Sequence, residues 1–231
     1  GSKLYVIFAD FVSTFDSVDH RALMTVLRRM GIPDVDLIES LYRCSPFQVS
    51  TAFGDTARVI VTRGCRQGDI LSPLIFDIFV NVLLRLFNEA GVGTTCSNGE
   101  KVNNKAFADD TALLSSTAGG AQDLLNILST FCDWSGMEVN LSKTVLTAYD
   151  FGSRSTPSDV GMISFRGEQL RILSHTESYP YLGFEMSLSG DWTREFEKVE
   201  RRTPAREIEE ALRKHKYTES QGEYLLMCTA V

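Results

Sequence analysis

The pattern of apolar and polar positions opens on a continuous apolar run, "KLYVIFAD", that ends in Asp10. It is rich in Val, Ile, Tyr and Phe, which predicts a buried strand. "SVDHRALMTVLRRMGIP" follows. Its Ala22, Leu23, Val26, Leu27 and Met30 recur at helical spacing, Asp19 stands where an N-cap belongs, and Gly31 with Pro33 stops the helix. "DVDLIESLYRC" predicts a second helix. "FQVSTAFGDTARVIVTRG" alternates on both sides of "GD" and predicts a hairpin turning there. "LSPLIFDIFVNVLLRLFNEAG" predicts a long helix packed on most of its circumference.

"KVNNKAFADDTALLSS" predicts strand, tight turn, strand, and "AQDLLNILSTFCDWSG" a helix with Leu124, Leu125, Leu128 and Phe131 on one face. "MEVNLSKTVLTAYD" predicts a further strand, residues 151–159 a loop, "MISFRGEQLRIL" a hairpin about "RGE", and "YPYLGFEMSLSGDW" a strand and turn. The tail from Thr193 is charged and helical, broken at Pro204. This order is neither a regular βαβ alternation nor a bundle. The fold class it predicts is α+β, a small antiparallel sheet backed by helices.

Composition narrows the picture. A chain of 231 residues, 43% hydrophobic, can bury a substantial core without staples. Its five cysteines are scattered, odd in number and without CxxC spacing, so neither a disulfide framework nor a zinc site is expected. A reducing intracellular compartment is the expectation, with nucleus and organelle both open. His20, His175 and His215 show no ligand spacing. No apolar run is expected to reach membrane-spanning length and no signal peptide is visible, so no membrane partner is expected. The net charge of −7 argues against binding nucleic acid by bulk electrostatics.

The candidate chemistry lies in acids. Asp109 and Asp110 sit side by side at the turn of "KAFADDTALL". Two carboxylates about 4 Å apart repel by about 4 kcal/mol at an effective dielectric near 20. Asp alone favours turns, which is the plainer reading of the pair. If the strand ending in Asp10 neighbours this hairpin, three carboxylates converge at one sheet edge. Divalent cations between them would then offset the repulsion, and hard Mg²⁺ takes oxygen ligands of this kind.

Five blocks in order carry a resemblance: "FADFVSTFDSVDH" (8–20), "RGCRQGDILSPLIF" (63–76), "FADD" (107–110), "WSGMEVNLSKT" (134–144) and "YPYLGF" (179–184). Together they resemble the palm of a reverse transcriptase, most of all in the non-LTR retrotransposon branch. The resemblance runs from about residue 3 to residue 192. It implies residues 1–192 as a polymerase palm with its fingers largely absent, and residues 193–231 as a helical tail, a partial thumb.

The resemblance also implies roles. Asp10 and Asp109 match the metal-binding aspartates, with the Phe11 carbonyl beside the first, and Asp110 matches the neighbour nearer the primer end. Phe15 matches an aromatic gate against a nucleotide 2′-hydroxyl, although a core aromatic reads equally well. Gln67 and Gly68 match the loop that meets nucleotide and template, Lys143 a lysine near the leaving pyrophosphate, and Tyr181, Leu182 and Gly183 the hairpin that grips the primer. Asp16 reads as structural, a cap for the following helix. Mg²⁺, or Mn²⁺, is the implied cofactor. An RNA template, a DNA primer and a dNTP are the implied partners, with fingers and thumb supplied by a longer chain or other subunits. The rival expectation is a domesticated, non-catalytic scaffold that contacts RNA or protein in a ribonucleoprotein, with an extensive apolar face where fingers would dock.

Overall fold

A computed structural model describes residues 3–43, 48–65, 68–96, 99–107, 110–190, 193–194 and 197–198. In chain order these form β1 (Lys3–Ala9), α1 (Thr14–Ser17), α2 (His20–Arg29), α3 (Val35–Arg43), β2 (Ser50–Thr51), β3 (Gly54–Asp55), α4 (Leu71–Glu89), β4 (Thr94–Thr95), β5 (Lys101–Val102), β6 (Asn104–Phe107), β7 (Asp110–Ser115), α5 (Ala118–Ser135) and β8 (Val145–Asp150). A 3₁₀ turn (Ser158–Met162), β9 (Ser164–Phe165), β10 (Glu168–Gln169), β11 (Arg171–Leu173), β12 (Tyr179–Tyr181) and β13 (Phe184–Met186) complete the set. The chain divides into two compact units, Gly1–Ile172 and Leu173–Val231.

The first unit is built on one sheet in the order β11-β8-β1-β7-β6. The apolar run from Lys3 to Ala9 is its centre, antiparallel to β7 on one side and β8 on the other. Tyr5 pairs with Ser115 and Ala148, and Ile7 with Leu113 and Leu146. Directly opposed residues share a face, so Tyr5, Ile7, Leu113, Leu146 and Ala148 present one apolar surface. All five belong to the core that also takes Leu23 and Leu27 of α2, Phe76, Phe79, Leu83 and Phe87 of α4, and Leu124, Leu125, Leu128 and Phe131 of α5. Truncating one such leucine to alanine costs about 2–5 kcal/mol. The alternate residues Val6, Phe8 and Asp10 fall on the opposite face of the sheet.

Local signals explain where the helices begin and end. The Asp19 carboxylate accepts from the Arg21 and Ala22 amides at 2.9 and 3.0 Å and caps α2. Thr117 caps α5 through the Gly120 amide, and Gly136 closes it in a left-handed conformation. Asp16 lies inside α1, and the cap of the following helix α2 is Asp19, which corrects the capping role expected of Asp16 from "FD".

Four further expectations are corrected. The β2–β3 turn is Ala52-Phe53, and Gly54–Asp55 open the returning strand rather than the turn. The expected strand from Met137 starts only at Val145, because residues 140–144 close a turn. The loop expected over residues 151–159 gives way to the 3₁₀ turn at Ser158. Helix α4 is long and apolar enough to cross a membrane by composition alone, yet its apolar side is the core of this unit, packed on α2, α5 and β6. Among the described residues, Cys65, Cys96 and Cys132 are free thiols. Burial pushes Cys65 and Cys132 up to about 11, so both are inert core thiols.

In the second unit, β12 and β13 pair as a hairpin, Tyr181 opposite Phe184. Its two turn residues, Leu182 and Gly183, both have positive φ, the geometry of a two-residue hairpin turn.

Candidate active site

The site is assembled around the end of β1. Past Ala9, the backbone of residues 10–12 leaves the sheet and zips onto residues 138–140. Val12 N–H donates to the Glu138 carbonyl at 2.9 Å, and Asn140 N–H to the Asp10 carbonyl at 2.8 Å. Phe11 and Val139 are the bridged pair between those bonds. Main-chain groups of successive strand residues point to opposite sides. The Phe11 carbonyl is therefore directed away from residues 138–140, to the side where β7 lies.

Residues 140–144 form a turn pinned to the same stretch. The Lys143 and Thr144 amides donate to the Asn140 carbonyl at 3.1 and 2.8 Å, and the Asp10 amide donates to the buried Thr144 hydroxyl at 3.2 Å. This brings Lys143 to Asp10, with Nζ 3.7 Å from Oδ2. That separation exceeds a hydrogen bond. Oδ2 of Asp10 is itself buried and has no hydrogen-bond partner among the described residues. An ionised oxygen left this way is costly unless a cation serves it.

The register of β1 on β7 supplies the second acid. Ala9 pairs with Thr111. The next residues on the two strands are Asp10 and Asp110, so this pairing brings both acids to the same end of the sheet. Asp110 is the first residue of β7 and pairs back to Phe107 of β6. Asp109, the expected partner acid, lies outside the described residues, as does Gln67.

Phe15 sits in α1 with its ring 4.4 Å from that of Phe76. It also lines a cleft of about 600 Å³ with Pro73, Asp77, Asn81 and Phe107. One ring therefore serves the core and a cleft wall together. The segment before Gln67 is tied to the first acidic block. Gly64 N–H donates to the Val18 carbonyl at 2.8 Å, Cys65 N–H to the Phe15 carbonyl at 2.7 Å, and His20 Nε2 meets the Gly64 carbonyl at 2.8 Å. Gly64 has φ +94, and a Cβ there would lie 3.2 Å from Asp16 Cα. Gly68 has φ +82 with nothing near its Cβ position, so its conformation alone selects glycine. Asp69 accepts from the Leu71 amide at 3.1 Å and starts α4. Tyr181, Leu182 and Gly183 end the hairpin of the second unit.

Thr144 and Asn140 are the residues that sequence reasoning missed. The signal was the largely polar stretch "NLSKT" interrupting the alternation between Val139 and Val145.

A comparison with protein families matches residues 1–186 to "Reverse transcriptase (RNA-dependent DNA polymerase)". The chain belongs to the reverse transcriptase family. Among curated relatives of this reverse transcriptase-family chain, the retrovirus-related Pol polyprotein from type-1 retrotransposable element R2 of Popillia japonica is 29% identical over 196 residues, covering 82% of this chain and 32% of the relative. The putative 115 kDa protein in type-1 retrotransposable element R1DM of Drosophila melanogaster is 32% identical over 187 residues, covering 78% and 16%. The RNA-directed DNA polymerase from mobile element jockey of Drosophila funebris is 28% identical, covering 76% and 19%. The chain thus spans a third or less of the length of these relatives. Among solved structures, apo telomerase from Candida tropicalis truncated from its C-terminal domain superposes with a TM-score of 0.56 at 16% identity, covering 81% of this chain and 34% of that one. This likeness bears on fold, and it agrees with the α+β palm expected from the sequence.

Proposed function

We propose that this chain is the palm of an RNA-directed DNA polymerase, joining a dNTP to a primer 3′-hydroxyl on an RNA template. The reading is supported by the pairing of Ala9 with Thr111, which brings Asp10 and Asp110 to one end of the sheet, and by one Asp10 oxygen that is buried and unsatisfied among the described residues. Evolved cores leave few such atoms without a purpose.

The donor set fits a hard divalent cation, Mg²⁺ or Mn²⁺. Asp10, the Phe11 carbonyl and Asp109 would hold two such ions, with Asp110 assisting, for two-metal nucleotidyl transfer. When bound, such ions activate an attacking hydroxyl and stabilise the leaving pyrophosphate. The chain's own residues do the positioning. The bonds from Asn140 and Thr144 fix the Asp10 backbone, so the carboxylate would hold its cation without reorganisation. Phe15, braced by Phe76, presents a flat ring to the sugar and excludes a 2′-hydroxyl by contact. Gln67 and Gly68 would meet the incoming nucleotide, Lys143 the pyrophosphate, and the Tyr181–Gly183 hairpin the primer.

The scaffold reading draws support from large apolar side chains left exposed, among them Phe53, Ile60 and Ile70. It gives no account of the buried Asp10 oxygen. The test is extension of a DNA primer on an RNA template by the full-length natural polypeptide containing this chain. Asp10→Asn and Asp109→Asn each abolish extension under this reading. Wild-type extension by either variant overturns that residue's role.

A further inference from the structure

The pairing of Asp10 with Lys143 has features that set it apart from the other ion pairs of the described residues. The Arg28–Asp36 and Arg166–Asp133 contacts are hydrogen bonds at 3.1 and 2.5 Å, made by guanidinium groups at the surface. Lys143 instead approaches a buried carboxylate oxygen without bonding to it, at 3.7 Å, while its own side chain is 67% exposed. The backbone is arranged for this approach. Thr144, the next residue, holds the Asp10 amide, and Asn140 holds both the Asp10 carbonyl and the Lys143 amide. The ammonium is delivered by this turn, on a flexible four-carbon stem, to a buried carboxylate oxygen that has no hydrogen-bond donor among the described residues.

We propose that Lys143 is a resident counter-ion of Asp10, holding the place of a divalent cation and yielding it by swinging into solvent when the cation arrives. The inference rests on the reading of Asp10 as a metal ligand and adds a role for Lys143 before any substrate is present. Three physical points support it. The β1–β7 pairing brings Asp10 and Asp110 to one end of the sheet, where a nearby positive charge lessens the repulsion between acids. A lysine is suited to a temporary post, because its point charge forms no bidentate fork, whereas arginine would grip the carboxylate. At 3.7 Å, with the lysine side chain 67% exposed, the contact with Asp10 is of the weak, solvent-screened kind that a divalent cation can displace.

The consequence is competition. Lysine and metal share one oxygen, so metal affinity is lowered by the strength of the pair. For a pair of ordinary surface strength the expected factor is about three to five. The interaction is screened by salt, so the factor shrinks as ionic strength rises.

The experiment is Mn²⁺ binding to the chain followed by electron paramagnetic resonance, for wild type, Lys143→Gln, Lys143→Arg, Asp10→Asn and Lys105→Gln. Lys105 lies on β6, two strands from Asp10, and its variant measures the effect of removing any nearby positive charge. The proposal predicts that Lys143→Gln tightens Mn²⁺ binding about three- to fivefold at low salt, clearly more than Lys105→Gln. It also predicts that the gain narrows with added NaCl, and that Lys143→Arg weakens binding below wild type. Unchanged or weaker binding in Lys143→Gln, or a gain no larger than that of Lys105→Gln, overturns it. The underlying reading is tested separately by Asp10→Asn. Loss of Mn²⁺ there with no gain in Lys143→Gln sinks the counter-ion role alone, whereas wild-type binding in Asp10→Asn sinks the metal-ligand reading and the counter-ion role with it.

Discussion

The hydroxyl of Thr144 is the cheapest place to disturb the site without touching an acid. Thr144 is fully buried, and its Oγ1 accepts the Asp10 amide at 3.2 Å. Thr144→Val keeps the shape and removes the acceptor, so no cavity forms. The Asp10 N–H then loses its partner in a part-buried position. The bond is at the long end of the normal range and contributes about 0.5–1.5 kcal/mol net, while an unsatisfied buried donor costs about 1–3 kcal/mol. A loss of about 1–2 kcal/mol is therefore expected. For a domain of this size each kcal/mol lowers Tm by about 2–4 °C. The sharper assay is amide hydrogen exchange at Asp10. Exchange there accelerates in Thr144→Val, by about tenfold for a loss near 1.4 kcal/mol, while Thr144→Ser keeps the acceptor and protects the amide. Equal Asp10 protection in wild type and Thr144→Val, or equal loss in the serine and valine variants, would refute the claim that this hydroxyl seats Asp10.

Two further outcomes are expected. Gly64→Ala adds a Cβ 3.2 Å from the Asp16 backbone at φ +94, whereas Gly68→Ala meets strain alone. Urea unfolding should show a loss of about 2–3 kcal/mol for the first and about 1 kcal/mol for the second, and equal losses would contradict the close approach. The Tyr5 hydroxyl and then Lys3 hold the Asp159 carboxyl below the usual carboxylate range. Its contribution is present above the unfolded pKa of about 3.9 and is lost as pH falls through the lower folded value. Thermal melts from about pH 6 to about pH 3 should therefore show a smaller acid-induced drop in Asp159→Asn than in wild type, and identical slopes would remove Asp159 from the acid response.

Much of this architecture was legible because its signals are periodic. The 3.6-residue spacing of Leu23, Val26 and Leu27, and of Leu124, Leu128 and Phe131, marks helices that are packed on one side. The unbroken apolar run of β1 marks a strand buried on both faces. The strands that failed to extend, near Met137 and Val59, carry apolar alternation but pair through isolated bridges rather than a continuous ladder. Propensity alone does not make a ladder. Pairing across a long separation was the invisible part. Nothing local tells Asp10 that its backbone will be held by Asn140 and Thr144, since those bonds depend on β1 and β8 lying side by side. The acids could be listed from the sequence, but the arrival of Asp10 and Asp110 at one end of the sheet is a property of register. The Thr144 hydroxyl and the Gly64 contact with Asp16 belong to the same class, being contacts of tertiary origin carried by residues of ordinary type.

The central claim is that Asp10 and the acidic doublet share one divalent cation site. Fe²⁺ placed in that site, with ascorbate and peroxide, generates radicals that cut the nearest backbone, and mass spectrometry locates the cuts. The account predicts cleavage in two clusters, around residues 10–11 and around residues 109–111, both suppressed by excess Mg²⁺. Cleavage at only one of these places, or cuts that Mg²⁺ does not suppress, would contradict it.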